Sequence, residues 1–249
     1  MNYHRIPFYK DKFAINLLAK DLDNALEISE QVDGHMLVGV LAKDFDTIEA
    51  CADRVREYLK ELPNVSVGMG GGDPAQAPRA AQVAALTNPG HVNQTFTGAM
   101  FTEGLLTGAK CFDTITNCMM YPTGTVGMVQ ISTGAVSDKH EKGIVSVETA
   151  ACMLRDVGVP SVKFFNMHGL KHIEELKALA EACAKYGVPI VEPTGGLDPD
   201  NVAQVVKVCL DAGVERVIPH IYTSIVDKAT GRTVPELARK AYENLKALV

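Results

Sequence analysis

The sequence predicts an α/β protein in which a parallel sheet is covered by helices. Short apolar runs alternate with amphipathic helical patterns along the chain, and this alternation is typical of parallel strands joined by crossover helices. Eight such units fit into 249 residues, with no change of composition that would mark a linker. This number and length predict a (β/α)8 TIM barrel, so we expect a single barrel domain over residues 1–249. A doubly wound open sheet is the alternative, but no GxGxxG motif follows the first strand.

The first half of the chain contains five predicted strands and four predicted helices. The strands are apolar runs at 13–19, 35–42, 65–69, 91–97 and 112–118. The helical patterns cover 23–32, 46–62, 75–86 and 100–107. Asp46 is the expected N-cap of the second helix, because Glu49 follows three residues later as in a capping box.

An extended loop is predicted after the fifth strand. Residues 119–143 are rich in Gly, Thr and Ser, and they include a candidate extra strand at 127–132. A segment of this length between regular elements usually has a function of its own. The remaining predicted elements are strands around Lys163, at 189–193 and at 216–221, and helices at 146–156, 173–186, 199–212 and 235–248.

Composition and charge exclude several functional classes. The net charge is −6 and no stripe of Lys and Arg is present, so nucleic acid is not an expected partner. No apolar run approaches the roughly 20 residues that span a membrane, and residues 1–12 lack the apolar core of a signal peptide. The six cysteines form no CxxC pair and no zinc-binding pattern. We therefore expect free, mostly buried thiols, no metal or other cofactor, and a cytoplasmic location.

A short pattern recurs where three of the predicted helices end. Gly158, Gly187 and Gly213 each stand between a helix and the following strand, at the position that a left-handed C′ residue takes. When the segments are aligned on these glycines, Lys163 and Glu192 occupy the same strand position. Both lie near the carboxyl ends of their strands, which is the barrel face where active sites are found.

Lys163 stands in an otherwise apolar segment with the composition of a buried strand. Burial of an ammonium group is costly, so such a lysine either gains a charged partner or loses its proton near neutral pH. A looser copy of the glycine pattern gives Asp113 the equivalent position on the fifth strand, so we expect acidic neighbours on both sides of Lys163. Two interpretations follow: a structural ion pair, or a neutral amine that forms a Schiff base with a carbonyl substrate.

Gly195 and Gly196 lie between the seventh strand and the next helix. Backbone N–H groups at such a turn can approach an anion, and the loops after strands 7 and 8 frequently form the phosphate site of a barrel. His220 and Ser224, at and after the eighth strand, are candidates to complete that site. A tight turn that requires glycine for its positive φ is the alternative.

Two short motifs carry a resemblance to a known family. The sequence VKFF at 162–165, followed one unit later by PTGGL at 193–197, resembles the signature of the 2-keto-3-deoxy-6-phosphogluconate (KDPG) aldolases. Over its whole length the chain resembles a longer, related family, the class I aldolases of the D-glucosaminate pathway, also known as 4-hydroxy-2-oxoglutarate aldolases. The resemblance implies that Lys163 forms a Schiff base with pyruvate and that Gly195 and Gly196 bind the substrate phosphate.

The sequence also departs from the shorter family. The second strand lacks the glutamate that the family uses in catalysis, and Asn166 replaces the proline after the two phenylalanines. We expect Glu192 to act as the general base because it shares the strand position of Lys163, with His168 and His220 as further candidates. The expected substrate-binding residues are polar and near strand ends: Asn93, Gln94 and Thr95, Thr116 and Asn117, Asn166, and Thr194.

The sequence therefore predicts a class I aldolase that cleaves KDPG-like substrates to pyruvate and glyceraldehyde 3-phosphate. Its expected partner is a small keto acid or sugar-acid phosphate, and the chain is expected to form a homo-oligomer. Two alternatives remain open: a sugar-phosphate isomerase or epimerase in which Lys163 acts electrostatically, and a non-catalytic barrel that binds a phosphate ligand. The absence of a glutamate on the second strand supports the non-catalytic alternative.

Overall fold

The computed structural model describes residues 5–249 and contains a ring of parallel strands surrounded by helices. Residues 1–4, which belong to the N-terminal segment considered above, lie outside the described residues. The strands are β1 Ile15–Leu18, β2 Met36–Leu41, β3 Val65–Gly68, β4 Gly90–Thr95, β5 Ile115–Pro122, β6 Met128–Ile131, β7 Ile144–Ser146, β8 Ser161–Phe164, β9 Ile190–Pro193, β10 Arg216–Val217 and β11 His220–Ile221. The helices are α1 Leu22–Gln31, α2 Ile48–Tyr58, α3 Ala77–Thr87, α4 Ala99–Gly108, α5 Val147–Asp156, α6 Ile173–Tyr186, α7 Val202–Asp211 and α8 Pro235–Lys246.

The sheet closes on itself through the last part of the chain. The strand order is β10-β9-β8-β5-β4-β3-β2-β1-β11, where β10 and β11 are consecutive pieces of the eighth barrel strand. Strand β10 pairs with β9, β11 pairs with β1, and a bridge between Phe13 and Val217 joins the two ends. The predicted TIM barrel is confirmed, and the doubly wound open sheet is wrong because both ends of the sheet are paired.

The loop after the fifth barrel strand is more regular than predicted. Strand β5 continues to Pro122, because Met119 and Met120 pair with Lys163 and Phe164 on β8. The predicted extra strand at 127–132 is confirmed as β6, which runs antiparallel to β5, and β7 then pairs with β6. The segment 123–146, which contains β6 and β7, is thus a short extension of the sheet beside the barrel. We call this segment the excursion after β5.

Helix ends follow the recurring glycine pattern at three of the four positions considered. Gly158, Gly187 and Gly213 have φ of 75°, 76° and 95°, as a left-handed residue after a helix requires. The segment around Gly108, which matches the pattern more loosely, does not end a helix in this way. Gly108 is still inside α4, and Lys110 takes the left-handed conformation with φ of 58°. The two-residue shift leaves the next segment out of register with the other three.

Two sequence-based predictions on single residues are corrected. Asp113 lies before β5, where its carboxylate accepts a hydrogen bond of 2.9 Å from Asn88, so Lys163 has no acidic neighbour on that strand. Thr47, and not Asp46, is the N-cap of α2. Its side chain accepts a 3.1 Å hydrogen bond from the N–H of Ala50, since the backbone is extended at Thr47.

The barrel interior has an apolar layer at its N-terminal end and a polar layer above it. The apolar layer is one cluster of buried residues: Ile6, Ala14, Leu37, Ile115, Ile190 and Ile218. The second, larger apolar core lies between the strands and the helices. All six cysteines are free, as predicted, and all except Cys152 are buried. Within residues 5–249, none of the helices combines the length and apolar character needed to cross a bilayer.

Candidate active site

A network of polar side chains fills the barrel above the apolar layer. Its members are Asn16 on β1, Ser66 on β3, His91 and Asn93 on β4, Asn117 on β5, Ser161 and Lys163 on β8, Glu192 on β9 and His220 on β11. These side chains alternate with outward-facing neighbours, as expected for strands with one face towards the barrel axis. Buried polar groups of this kind are stable only when their hydrogen bonds are satisfied.

Glu192 is the centre of this network. Its carboxylate accepts hydrogen bonds from His91 Nε2 at 2.9 Å, from Ser161 Oγ at 2.6 Å and from His220 Nε2 at 2.6 Å. The residue has 0% exposure. Lys163 and Glu192 are register partners in neighbouring strands, which confirms the shared strand position, but the lysine does not hydrogen-bond to the carboxylate.

Lys163 extends to the top of the network. Its Nζ lies 3.3 Å from Asn93 Oδ1 and 3.3 Å from His220 Nδ1. Because His220 Nε2 is 2.6 Å from an ionised carboxylate, we assign its proton to Nε2, which leaves a lone pair on Nδ1 facing the lysine. The amide nitrogen of Asn16 is farther from the same Nε2, at 3.4 Å, so the carboxylate contact determines the tautomer.

The environment of the network determines the protonation states of Glu192, Lys163 and His220. Burial alone raises the pKa of Glu192, but the electrostatic interaction with His91 and the hydrogen bonds from His220 and His91 outweigh it and hold that pKa well below its ordinary range. Burial lowers the pKa of Lys163 to about 8, while the negative charge of Glu192 limits the decrease. Burial and the neighbouring lysine lower the pKa of His220 to about 3, so this imidazole is neutral at pH 7. A neutral imidazole therefore stands between a carboxylate and an amine that readily loses its proton.

Lys163 opens into a cavity at the carboxyl end of the strands. This cavity, of about 90 Å³, is also lined by the three-glycine turn at 70–72, Phe165 and Tyr222. The phenol of Tyr222 donates a hydrogen bond of 3.1 Å to Asn16 Oδ1, and burial raises its pKa above the usual range. Lys163 Nζ lies 5.9 Å from the centre of each of the two aromatic rings. The amine thus borders the cavity near the two rings, and its hydrogen-bond partners are Asn93 and His220.

A second cavity of about 180 Å³ adjoins the first and shares Phe165, Thr194 and Tyr222 with it. Its wall is the turn after β9, and Gly195 and Gly196 have φ of 102° and 69°. These glycines also allow the turn after β9 to approach the 166–169 turn closely. A Cβ at Gly195 would collide with the Asn166 side chain, and one at Gly196 would collide with the backbone of the 168–169 turn.

The remaining predicted residues around this turn have defined partners. Asn166 Oδ1 accepts from the N–H of His168, and Thr194 Oγ1 donates to the carbonyl of Glu192. Ser224 Oγ donates a 2.6 Å hydrogen bond to the carbonyl of Leu197, which ties the loop after the eighth barrel strand to the glycine turn. His220 lines the second cavity but directs both ring nitrogens into the network around Glu192 and Lys163.

The structure separates several predicted site residues from Lys163. Gln94 faces outward and donates to the carbonyl of Ala77 at the start of α3. Thr116 faces Glu103 on α4, and Thr95 accepts from the N–H of Gly98 at the end of its strand. Gln94 and Thr116 are on the outer surface of the sheet because side chains alternate along a strand and Asn93 and Asn117 occupy the inward positions. Thr95 shares the parity of Asn93, but it is the last residue of β4 and its side chain caps the turn that follows.

Of the three candidates for the general base, His168 and Glu192 lie away from the cavity at Lys163, whereas His220 contacts the lysine amine. His168 is exposed, with its ring 6.3 Å from that of His172, and the structure gives it no contact with Lys163. Glu192 is fully enclosed by its three hydrogen-bond donors. The geometry therefore does not fit direct proton abstraction from a substrate by either side chain.

The sequence-based prediction missed four residues of the network and Tyr222 beside it. The missed network residues are Asn16, Ser66, His91 and Ser161. A usable signal was present, since each is a polar residue within a strand that the sequence predicts, where burial of a polar side chain requires a partner. Tyr222, which follows the eighth barrel strand, carries no comparable signal.

Comparison with known proteins identifies the family. The sequence profile of the KDGP aldolase family matches residues 9–229. The chain belongs to the KDGP aldolase family. It is 46% identical over 245 residues to the 2-dehydro-3-deoxy-phosphogluconate aldolase of Salmonella typhimurium, a match that covers 98% of this chain and 99% of the relative. This KDGP aldolase family member is therefore a lyase, an aldolase of the KDPG type.

Solved structures support the fold of the KDGP aldolase family member. KGPDC from Streptococcus mutans superposes with a TM-score of 0.59 at 13% identity, covering 94% of this chain and 99% of that chain. The 3-hexulose-6-phosphate synthase of Salmonella typhimurium gives a TM-score of 0.57 at 14% identity, covering 94% and 100%. At such identities the likeness concerns the barrel alone.

Proposed function

We propose that this family member is a class I aldolase in which Lys163 forms an imine with the keto group of a 2-keto-3-deoxy-6-phospho sugar acid. One observation carries the proposal. The Lys163 amine has a pKa of about 8 and borders a cavity at the carboxyl end of the barrel strands, where TIM-barrel active sites lie. About one-tenth of this amine is neutral at pH 7, far more than for an ordinary lysine, and a neutral amine is the nucleophile that Schiff-base chemistry requires.

The proposed reaction uses the imine to withdraw electrons from the substrate. Lys163 Nζ attacks C2, and water leaves as the iminium forms. A base removes the C4 hydroxyl proton, the C3–C4 bond breaks, and its electrons form an enamine while glyceraldehyde 3-phosphate departs. Protonation at C3 and hydrolysis then release pyruvate and regenerate the lysine.

The substrate phosphate is proposed to bind at the turn of Gly195 and Gly196. The second cavity adjoins the one at Lys163 and is lined by this turn, Leu197 and Thr223. Backbone N–H groups at loops after the seventh and eighth barrel strands are a frequent phosphate site. The shared wall of Phe165, Thr194 and Tyr222 would then lie alongside the carbon chain between the keto group and the phosphate.

Borohydride trapping tests the proposed function. The protein is incubated with pyruvate, reduced with sodium borohydride and digested, and the peptides are analysed by mass spectrometry. We expect the reduced pyruvate adduct on Lys163 and on no other lysine. An unmodified Lys163 peptide under saturating pyruvate would exclude the imine mechanism and leave an electrostatic role for this lysine, as in an isomerase or epimerase.

The biological setting is also part of the proposal. We propose a homo-oligomer, because Met100, Phe101, Ile144 and Met153 expose apolar surface on α4, β7 and α5. We place the protein in the cytoplasm, in the D-glucosaminate pathway, which fits its free cysteines and the family resemblance. Sedimentation velocity at micromolar concentration tests the first point, and a monomer would exclude it.

A further inference from the structure

The proposed imine chemistry needs a group that moves protons at Lys163 Nζ. Formation of the iminium from the ammonium form and a ketone transfers two protons from nitrogen to the departing oxygen, and water leaves. That group must lie within hydrogen-bond reach of the nitrogen and must be able to hold a proton briefly. The structure offers few candidates, because most polar side chains in the barrel are fully engaged with one another.

We infer that His220 is the acid–base residue of Lys163 and that Glu192 positions it. This inference rests on the proposed Schiff-base function. His220 Nδ1 is 3.3 Å from Lys163 Nζ and carries a lone pair, because Nε2 donates to Glu192 at 2.6 Å. Within residues 5–249, the other hydrogen-bond partner of Nζ is the amide oxygen of Asn93, which accepts a hydrogen bond but does not take up a proton at neutral pH.

The proton balance of the step can be followed atom by atom. Nδ1 of His220 takes one proton from the Lys163 ammonium, and the resulting amine attacks C2 of the keto acid. The same Nδ1 delivers that proton to the carbinolamine oxygen, takes a second proton from Nζ, and delivers it to the hydroxyl group. Water leaves while the nitrogen lone pair forms the C=N bond, so His220 ends the step neutral.

The surroundings of His220 suit such a cycle. Its imidazolium form is disfavoured by burial and by the charge of Lys163, and the second effect disappears when the lysine gives up its proton. The carboxylate of Glu192, 2.6 Å from Nε2, stabilises the imidazolium while it exists. Glu192 itself is held in place by His91 and Ser161 on the opposite side. The proton that His220 takes from Lys163 is thus held by a histidine whose position is already fixed by Glu192.

Glu192 acts through His220 because it has no access to the cavity. Its exposure is 0%, and both carboxylate oxygens already accept hydrogen bonds. Replacement by glutamine would place an amide N–H where His220 now finds an acceptor. The imidazole would then be driven to carry its proton on Nδ1, facing Lys163, and the lone pair that accepts the lysine proton would be lost.

The test measures the rate of imine formation with pyruvate. The reaction is quenched with borohydride at timed intervals, and the fraction of protein that carries the reduced adduct is determined by mass spectrometry of the intact protein. We expect His220→Asn and His220→Gln to slow this rate by on the order of 100-fold or more, as for loss of a general acid–base group. Lys163 should still be trapped at long times, since the nucleophile remains. The matched controls alter a second histidine–glutamate pair, in which His172 Nδ1 lies 2.6 Å from the carboxylate of Glu175 in the first turn of α6. His172→Asn and Glu175→Gln should stay within about threefold of the wild-type rate.

A second measurement separates positioning from a purely structural role of Glu192. The carboxylate raises the pKa of Lys163, so Glu192→Gln should slow imine formation and also move the pH–rate profile of the lysine to lower pH, with the pyruvate KM little changed. A structural defect alone would lower the rate without moving the profile.

The outcomes distinguish the inference from the function on which it rests. Absence of trapping in the wild-type protein overturns the Schiff-base function itself. Normal wild-type trapping with folded His220 variants within threefold of its rate overturns only the role of His220. If circular dichroism shows both His220 variants unfolded, Glu192→Gln decides: an imine-formation rate within threefold of wild type on the high-pH plateau, where Lys163 is already neutral, overturns the inference.

Discussion

Two buried glutamates in this protein make similar contacts but lie in different regions. Glu192 in the barrel interior and Glu175 in the first turn of α6 each lie 2.6 Å from a histidine nitrogen, of His220 and His172 respectively. Burial by itself raises the pKa of Glu175, but the His172 hydrogen bond and the backbone N–H groups of Thr123 and Gly124 hold it below its ordinary value. The pKa of Glu192 is held low in the same manner by its own histidines.

The difference lies in what the rest of each pair contacts. Glu175 accepts hydrogen bonds of 2.8 and 3.0 Å from the backbone of the excursion after β5, so that pair fixes a loop. His220 instead directs its second nitrogen to the Lys163 amine beside a cavity. A short glutamate–histidine contact is thus not by itself a sign of catalysis. The third group that the histidine meets decides between a structural and a chemical role.

Without Lys163, the Glu192–His220 pair would face no amine and would resemble the Glu175–His172 pair. We therefore expect its replacement to have the largest effect on activity. Lys163→Met is expected to abolish trapping by borohydride and to lower aldol cleavage by on the order of 10⁴-fold or more, because no other group supplies the nucleophile. Lys185→Met on the surface of α6 is the control and should retain wild-type rates. Cleavage that survives Lys163→Met would exclude the covalent mechanism.

A substitution in the turn of Gly195 and Gly196 should affect phosphate binding and leave the contact between His220 and Lys163 intact. Gly196→Ala forces a Cβ against the backbone at Gly169, so we expect kcat/KM for a phosphorylated substrate to fall by roughly 10- to 100-fold. The rate of trapping with pyruvate, which lacks a phosphate, should change far less. Thermal unfolding should show a loss of about 1–3 kcal/mol from the strained turn.

Gly104→Ala is the matched control for this variant. Gly104 lies in the middle of α4, with open space where its Cβ would be, so alanine should stabilise the protein by about 0.4–1 kcal/mol and leave both rates unchanged. Equal losses of pyruvate trapping and of cleavage in Gly196→Ala would show that the turn supports the whole site and not the phosphate.

The fold and the main features of the site follow from local sequence patterns. The eight units, the C′ glycines, the shared strand position of Lys163 and Glu192, and the turn after β9 all depend on residues close in sequence. The partners of Glu192 do not: His91 is 101 residues away from it. Contacts across a barrel depend on strand stagger, which local patterns do not determine.

The errors within strands have a simpler physical origin. Asn93 and Gln94 are neighbours in sequence, yet one faces Lys163 and the other faces α3. Strand alternation separates them, and the same rule places Asn117 inside and Thr116 outside. His91 and Asn93, two residues apart, share the inward face, so an inward Asn93 would have predicted His91 as well.

The pH dependence of imine formation should distinguish the two pairs more finely. Burial lowers the pKa of Lys163 to about 8, so the neutral amine is the minor form below this pH and the major form above it. The trapping rate at saturating pyruvate should rise about 10-fold between about pH 7 and 9 and then level off. Glu175→Gln should leave this profile in place. A profile that continues to rise up to about pH 10.5 would indicate an unperturbed lysine.

The smallest effect is expected at the structural pair. Glu175→Gln should lower the free energy of unfolding at pH 7 by about 1–3 kcal/mol, because the carboxylate accepts two backbone N–H groups and pairs with His172. Since the folded-state pKa of Glu175 is lowered, its carboxylate contributes stability above its unfolded pKa of about 4.3. This contribution is lost as the pH falls through the folded-state pKa.

Urea unfolding of wild type and Glu175→Gln across the acidic range measures this contribution. The difference in unfolding free energy should shrink as the pH falls from about 5, because the wild-type side chain then becomes as uncharged as the glutamine. A difference that stays constant would assign the loss to packing. Because His172 and Glu175 share no contact with Lys163, aldol cleavage by this variant should stay within about twofold of wild type at neutral pH. A larger loss would mean that the excursion after β5 also shapes the active site.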